Sequence, residues 1–258
     1  MFETSWQRSH SLAVVRLNRP PANALGPSQI EELDELLDQL KGVPTLRAVI
    51  FHSHLRFFSA GADIGFIEGL SGSAGGPKEL ARLCARMQAV FAKLEALPVP
   101  TIAAISGICV GGGFELVLAC DLRVAESSAS VGLPEVNIGL LPGAGGTQRV
   151  TRIAGTAVAK RLILTGALVD GDEAARLGLV HDLAGVEGAL QAGLRLAESL
   201  VGAPRNALAA IKRCIALAPS EEGFAAEVSE TEKLLGEEGT VSLIGSFLMR
   251  SRQKKVAV

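Results

Sequence analysis

VPTIAAISGICVGGGFELVLACDLRVAE, residues 99–126, carries no charge before Glu115. The weakly charged run Val99–Leu118 has the length of a membrane span. Pro100, Gly107, the three glycines Gly111–Gly113 and Glu115 all fall inside it, and two periodicities share it, so a buried strand followed by a buried helix is the more economical reading. "VPTIAAIS" is β-branched and apolar enough for a buried strand, the glycines open a helix, and "DLRVAE" returns as another strand. That helix is apolar on every face except at Glu115, where burying a charge is costly.

Working outward, "SLAVVRLNRP" (11–20) reads as a strand stopped by Pro20 and Pro21. "PSQIEELDELLDQLKG" reads as an amphipathic helix with Ile30, Leu33, Leu36, Leu37 and Leu40 on one face, Pro27 in its first turn and Gly42 at its stop. "LRAVIFHSH" is a second strand, "FFSAGADI" a small-residue turn and "LSGSAGGPK" a surface loop before a helix from about Glu79 to Leu97. After the loop "VGLPEVNIGLLPGAGGTQR", the chain from Thr147 onward is mostly helix, with a short strand near "LGLVHDL". Strands alternating with helices make an α/β protein. No repeat at a fixed period and no sharp composition shift divides it. The expected organisation is a core over 1–195 and a helical region over 196–258 of the same structural unit.

The 258 residues hold 25 basic and 27 acidic side chains, a formal net charge of −2, and the isoelectric point is near 6.1. That balance argues against a nucleic-acid partner, whose footprint is a basic domain. Cys84, Cys109, Cys120 and Cys214 lack paired spacing and sit in apolar contexts, so they read as buried free thiols rather than a disulfide frame or zinc site. His10, His52, His54 and His181 lack ligand spacing, and no metal is expected. The first residues show no secretory leader, and a cytoplasmic location without membrane attachment is expected.

Three glycine-rich stretches, "SAGAD" (59–63), "GGGFE" (111–115) and "PGAGGTQR" (142–149), bring backbone close to a neighbour or a ligand. None fits a phosphate-cradling GxxxxGK[ST] or a dinucleotide GxGxxG, and taken singly each suits tight packing. Beside them stand two acids in apolar settings, Glu115 on its helix and Glu135 after Pro134. Desolvation raises a buried carboxyl's pKa, which lets one glutamate give a proton while another accepts one. Backbone-bonded structural glutamates are the alternative on residue types alone.

"LNRPPANAL" (17–25), "SAGADI", "GGGFELVLACD" and "PEVNIGLLPGAGGTQR", in this order over nearly the whole chain, closely resemble the crotonase (enoyl-CoA hydratase/isomerase) superfamily. The resemblance implies a spiral of ββα units with a helical C-terminal trimerisation region, and a homotrimer or homohexamer. It implies hydration of 2-enoyl-CoA thioesters, with isomerisation or other enolate chemistry on a CoA ester as the alternative and a non-catalytic RNA-binding or scaffold role less favoured. No cofactor is implied, since CoA is part of the substrate. The backbone N–H groups of Ala62 and Gly112 would form an oxyanion hole for the thioester carbonyl. Glu115 would act mainly as base toward a water, Glu135 would protonate the carbon beside the carbonyl, and Gly143 would leave room for the acyl chain. Ala22, Ala24, Ala60, Asp63 and Ile64 would line the CoA path, with Phe247 and Arg250 near C-terminal CoA-contacting positions. Gly65 stands where several members carry lysine, and Leu133 replaces a glutamine often found two residues before the second acid, so polarity or acyl preference differs there. A serine hydrolase is disfavoured by the lack of a GxSxG elbow.

Overall fold

The computed structural model describes residues 1–8, 11–218 and 220–256, with side chains through residue 249. It divides into two compact units, Met1–Val201 and Gly202–Val258. The opening stretch resolves into three strands and a helix where two strands and a helix are expected. Strands β1 (Phe2–Gln7), β2 (Leu12–Leu17), β3 (Ala48–Ser53) and β4 (Phe57–Ser59) precede it, with helices α1 (Pro27–Lys41), α2 (Ile64–Leu70) and α3 (Gly76–Glu95) between and after them. Then come β5 (Thr101–Ile105), β6 (Ile108–Val110), α4 (Gly112–Leu118) and β7 (Leu122–Ala125). Next follow β8 (Ser130–Gly132), a 3₁₀ turn (Glu135–Ile138), α5 (Gly146–Thr165), β9 (Leu168–Asp170), α6 (Gly171–Arg176), β10 (Asp182–Leu183) and α7 (Ala189–Val201).

The strands sort into two sheets, β1-β2-β3-β5-β7-β10 and β4-β6-β8-β9. Each of the pairs β3/β4, β5/β6 and β7/β8 sends its first strand to the large sheet and its second to the small one, and helical chain follows each pair. That is a winding of ββα units. From β2 to β10 the large sheet is parallel, and only β1 pairs antiparallel. The repeat escapes the sequence because the second strand of each unit is three residues long, too short for an alternation to show.

The central strands are apolar at successive positions because both faces are covered. Leu12, Val14, Ala48, Ile50, Ile102, Ala104 and Val124 pack under α7, whose Ala189, Ala192 and Ala197 are small enough to lie close to the sheet. Their neighbours Ala13, Val15, Val49, Phe51, Ala103 and Ile105 join the main core with α1, α3 and α4. Every residue of α4 is buried, as an all-apolar helix requires. Its carbonyl end is met by buried Arg123, which donates to the Cys120 carbonyl at 2.7 Å and to the Leu179 carbonyl at 2.7 Å. Asp121 ties the start of β7 to β5, accepting from the Thr101 N–H at 2.8 Å and hydroxyl at 2.9 Å.

The "NRPPANAL" loop is fixed by Asn23, fully buried, whose amide donates to the Ser53 hydroxyl and to the carbonyls of Phe57 and Phe58. That anchors the loop to the end of β3 and to β4. Helix α3 begins at Gly76, three residues before the expected Glu79, with Pro in its first turn. Cys109 and Cys120 are buried, whereas Cys84 and Cys214 are half-buried, and none of the four is in a disulfide. Among the described residues no helix is long and apolar enough to cross a membrane, and no cluster of three metal-ligating side chains occurs.

The second unit comprises α8 (Arg205–Ala216), α9 (Glu222–Leu235) and α10 (Glu238–Val256). Helices α8 and α9 pack together and are tied by an Arg213–Glu230 ion pair. Ile215, Phe224, Val228, Val241 and Leu248 of this unit stay exposed.

Candidate active site

Two glycine turns and two acids meet at one cavity of about 550 Å³. Its wall is built by α2, α3, the start of α4, the 3₁₀ turn and the loop 140–144. Ala60, Ala62, Ile64, Gly112, Glu115, Glu135 and Gly143 line it together.

Glu115 lies in the first turn of α4 and is 2% exposed. Its Oε1 accepts from the N–H of Ala144 at 2.8 Å and of Gly146 at 2.7 Å, two donors contributed by the "PGAGG" loop. Burial pushes its pKa up from 4.5 to about 7, and the charge of Glu135 pushes the same way, against the two N–H donors and the more remote Arg149. Glu135 opens the 3₁₀ turn. Burial raises its carboxyl too, and its Oε2 is buried without a hydrogen-bond partner. Its Oε1 sits where a side chain on Gly111 would go, 3.1 Å from that position, so a bare backbone there admits the carboxyl.

The backbone at 60–63 and 110–113 comes into close contact. A Cβ on Gly61 would stand 2.8 Å from the Val110 carbonyl and 3.0 Å from the Gly112 nitrogen, and Gly61 is in the left-handed region at φ +87°. The segment bearing Ala62 is held from the other side, where the Leu25 N–H donates to the Gly61 carbonyl and the Asp63 N–H to the Leu25 carbonyl. Among the described hydrogen bonds, the N–H groups of Ala62 and Gly112 have no acceptor within the chain. Both residues face the cavity.

The remaining residues picked from the sequence divide by distance from this cavity. The Ala22 carbonyl accepts from the Ala60 N–H and the Ala24 carbonyl from Arg19, so both support its edge without lining it. Asp63 caps α2 through the Phe66 N–H and pairs with Arg19 at 2.8 Å. The Arg19 hydrogen bond holds its carboxyl below the ordinary range. Gly65 is exposed on α2. Leu133 is buried in the core against Gly146, below the cavity wall rather than on it. Phe247 is exposed on α10, and the Arg250 side chain lies outside the described residues.

Arg149 and Glu95 are the participants that the reading of the sequence overlooked. Arg149 is 9% exposed, donates to the Ala144 carbonyl at 2.8 Å and makes a two-pronged pair with Glu95 at 2.9 and 2.7 Å. Its guanidinium lies over the Phe91 ring. One side chain thus pins to α3 the loop whose N–H groups hold Glu115. The signal was the arginine that closes "PGAGGTQR". Lysine keeps the charge but cannot make the planar fork, so Arg149→Lys should lower stability by about 1–2 kcal/mol, within the range of partly buried pairs. Thermal unfolding beside Lys93→Arg, a change outside this clamp, checks that value.

A family model described as enoyl-CoA hydratase/isomerase matches residues 7–238. "Probable enoyl-CoA hydratase" of Bacillus subtilis is 45% identical over 169 residues, which is 66% of this chain and 64% of that protein. "Crotonyl-CoA hydratase" of Syntrophomonas wolfei is 40% identical over 177 residues, 68% of this chain and 66% of that protein. The aligned stretch therefore spans just under two thirds of the Bacillus subtilis relative. The crystal structure of an enoyl-CoA hydratase from Bacillus anthracis superposes with a TM-score of 0.88 at 31% identity, covering 96% of each chain. With the ββα winding and the matched motifs, these similarities place the chain: it belongs to the enoyl-CoA hydratase/isomerase family.

Proposed function

We propose that the protein is an enoyl-CoA hydratase, adding water across the double bond of a 2-enoyl-CoA to give the 3-hydroxyacyl-CoA. The observation that carries this reading is the convergence of two desolvated carboxyls and two unengaged backbone N–H groups on one cavity. The thioester oxygen sits between the N–H groups of Ala62 and Gly112. As water adds to carbon 3, the double-bond electrons move toward that oxygen, and fixed donors stabilise the resulting enolate more than the ground state. Glu115 takes a proton from the water while the carbon–oxygen bond forms. Glu135 delivers a proton to carbon 2. Glu115 ends protonated and Glu135 ionised, and the pair is reset by one proton transfer.

The division of roles has physical support. Glu115 accepts two N–H bonds, which favour its ionised form and suit a base, although burial holds its pKa near neutrality. Glu135 has an unpartnered oxygen and only its own backbone N–H as a donor, which suits the acid. No cofactor enters the balance. Ala22, Ala24, Ala60, Asp63, Ile64 and Gly65 form the edge over which the CoA runs, and a part for Phe247 and Arg250 at the CoA is carried by the family resemblance alone. The large apolar side chains left exposed on the second unit, Phe224, Val228, Val241 and Leu248 among them, support assembly as a homotrimer or homohexamer.

Crotonyl-CoA tests the reaction. The chain should bleach the absorbance of the conjugated thioester, and Glu135→Gln should slow it on the order of 10²–10⁴-fold. Full activity in Glu135→Gln, with double-bond migration in place of hydration, would favour an isomerase.

A further inference from the structure

We infer that the acyl group taken by this site is an uncharged hydrocarbon chain of about six to ten carbons, and not one ending in a carboxylate. The inference rests on the hydratase reading for what happens at carbons 2 and 3, but not for how the tail is held.

Beyond the two acids, the cavity wall is aliphatic. Ile67, Leu80, Leu83 and Met87 come from α2 and α3, with Ile138 and Leu141 facing them from the 3₁₀ turn and the loop after it. Ile64, Ile138 and Leu141 are 58%, 57% and 67% exposed. Large aliphatic side chains gathered at the rim of one cavity are the surface an apolar ligand covers.

Charge points the same way. Among the described lining residues there is no lysine, arginine or histidine, and the ionisable groups are Glu115, Glu135 and the Cys84 thiol. Arg149 lies behind the wall and is committed to Glu95 and the Ala144 carbonyl. Arg82 and Arg86 of α3 line a separate cavity of about 230 Å³. A second carboxylate on the acyl tail would therefore enter a low-dielectric pocket with no counter-charge and two acids already present.

Size admits that length. If each chain carbon takes roughly the ~30 Å³ share of a water molecule, a four-carbon acyl group fills only about a quarter of 550 Å³. Six to ten carbons take about a third to a half and leave space for the thioester and the start of the pantetheine arm.

Saturated acyl-CoAs test the tail separately from the chemistry. Each buried methylene is worth roughly fourfold in affinity. Titration calorimetry should therefore find octanoyl-CoA bound at least tenfold tighter than butyryl-CoA, and glutaryl-CoA at least tenfold weaker than butyryl-CoA. Octanoyl-CoA binding no tighter than butyryl-CoA, or glutaryl-CoA binding as tightly, overturns the inference. Crotonyl-CoA hydration in the same preparation tells the two failures apart. Hydration with no gain from the longer chain overturns the tail assignment alone. Tight octanoyl-CoA binding with no hydration of crotonyl- or 2-octenoyl-CoA overturns the hydratase reading and leaves the tail assignment standing.

Discussion

Glu115→Gln will hydrate a 2-enoyl-CoA on the order of 10²–10⁴-fold more slowly than the parent chain, yet it will be the more stable protein near pH 8. The loss follows from removing the group that takes the proton from water. The gain follows from desolvation. The pKa of Glu115 is about 7 in the folded chain against 4.5 for the free group. The folded state therefore binds the proton more tightly than the unfolded state. Stability from the buried neutral carboxyl is fully present below about pH 4.5 and is lost as pH rises through about 7. A shift of that size corresponds to about 3 kcal/mol at higher pH. Glutamine keeps an oxygen for the N–H groups of Ala144 and Gly146 and has no charge to desolvate. Thermal unfolding should show Glu115→Gln melting roughly 6–12 °C higher near pH 8, with the difference closing toward pH 5. Equal melting temperatures near pH 8 would mean that burial does not raise the pKa of this carboxyl.

Gly61→Ala is the second large effect, and it acts through the backbone. The added methyl would meet the Val110 carbonyl at 2.8 Å and the Gly112 nitrogen at 3.0 Å, in a left-handed conformation that alanine adopts at a cost. These contacts are with backbone, so relief must come from separating the segment of Ala62 from the start of α4. The two N–H groups then no longer converge on one oxygen. Losing one such donor slows catalysis on the order of 10²–10³-fold, and strain with overpacking costs about 1–3 kcal/mol of stability. The discriminating readout is the split between kinetic constants. A fall in kcat with acyl-CoA affinity kept within a few fold places the damage at the developing enolate. A loss of affinity with kcat unchanged would place it at the CoA path instead.

How much of this could be read from the sequence depended on element length. Helix α1 and strands β2, β3, β5 and β7 are long or apolar enough for periodicity and turn residues to bound them. β4, β6 and β8 are three residues each and vanish into the turns around them, which hides the ββα repeat. The edge strand β1 escaped notice for another reason. It mixes polar and apolar residues and is set by pairing with β2 rather than by its own pattern.

The candidate site was legible where a residue was costly in its local setting, as Glu115 is on an all-apolar helix. It was illegible where meaning came from long-range approach. Nothing near Arg149 in sequence announces Glu95, 54 residues away, or predicts that the pair anchors the donors of Glu115. Leu133 shows the reverse: its place two residues before Glu135 suggested substrate contact, but its side chain turns into the core.

Addition of water across the double bond is read by running the reaction on crotonyl-CoA in heavy-oxygen water and weighing the product. The product should be heavier by one molecule of that water, with the heavy oxygen on carbon 3, and Glu115→Gln should give only traces of it. Recovery of crotonyl-CoA, and of 2-octenoyl-CoA run alongside it, unchanged in mass or with the double bond moved and no oxygen gained, would rule hydration out.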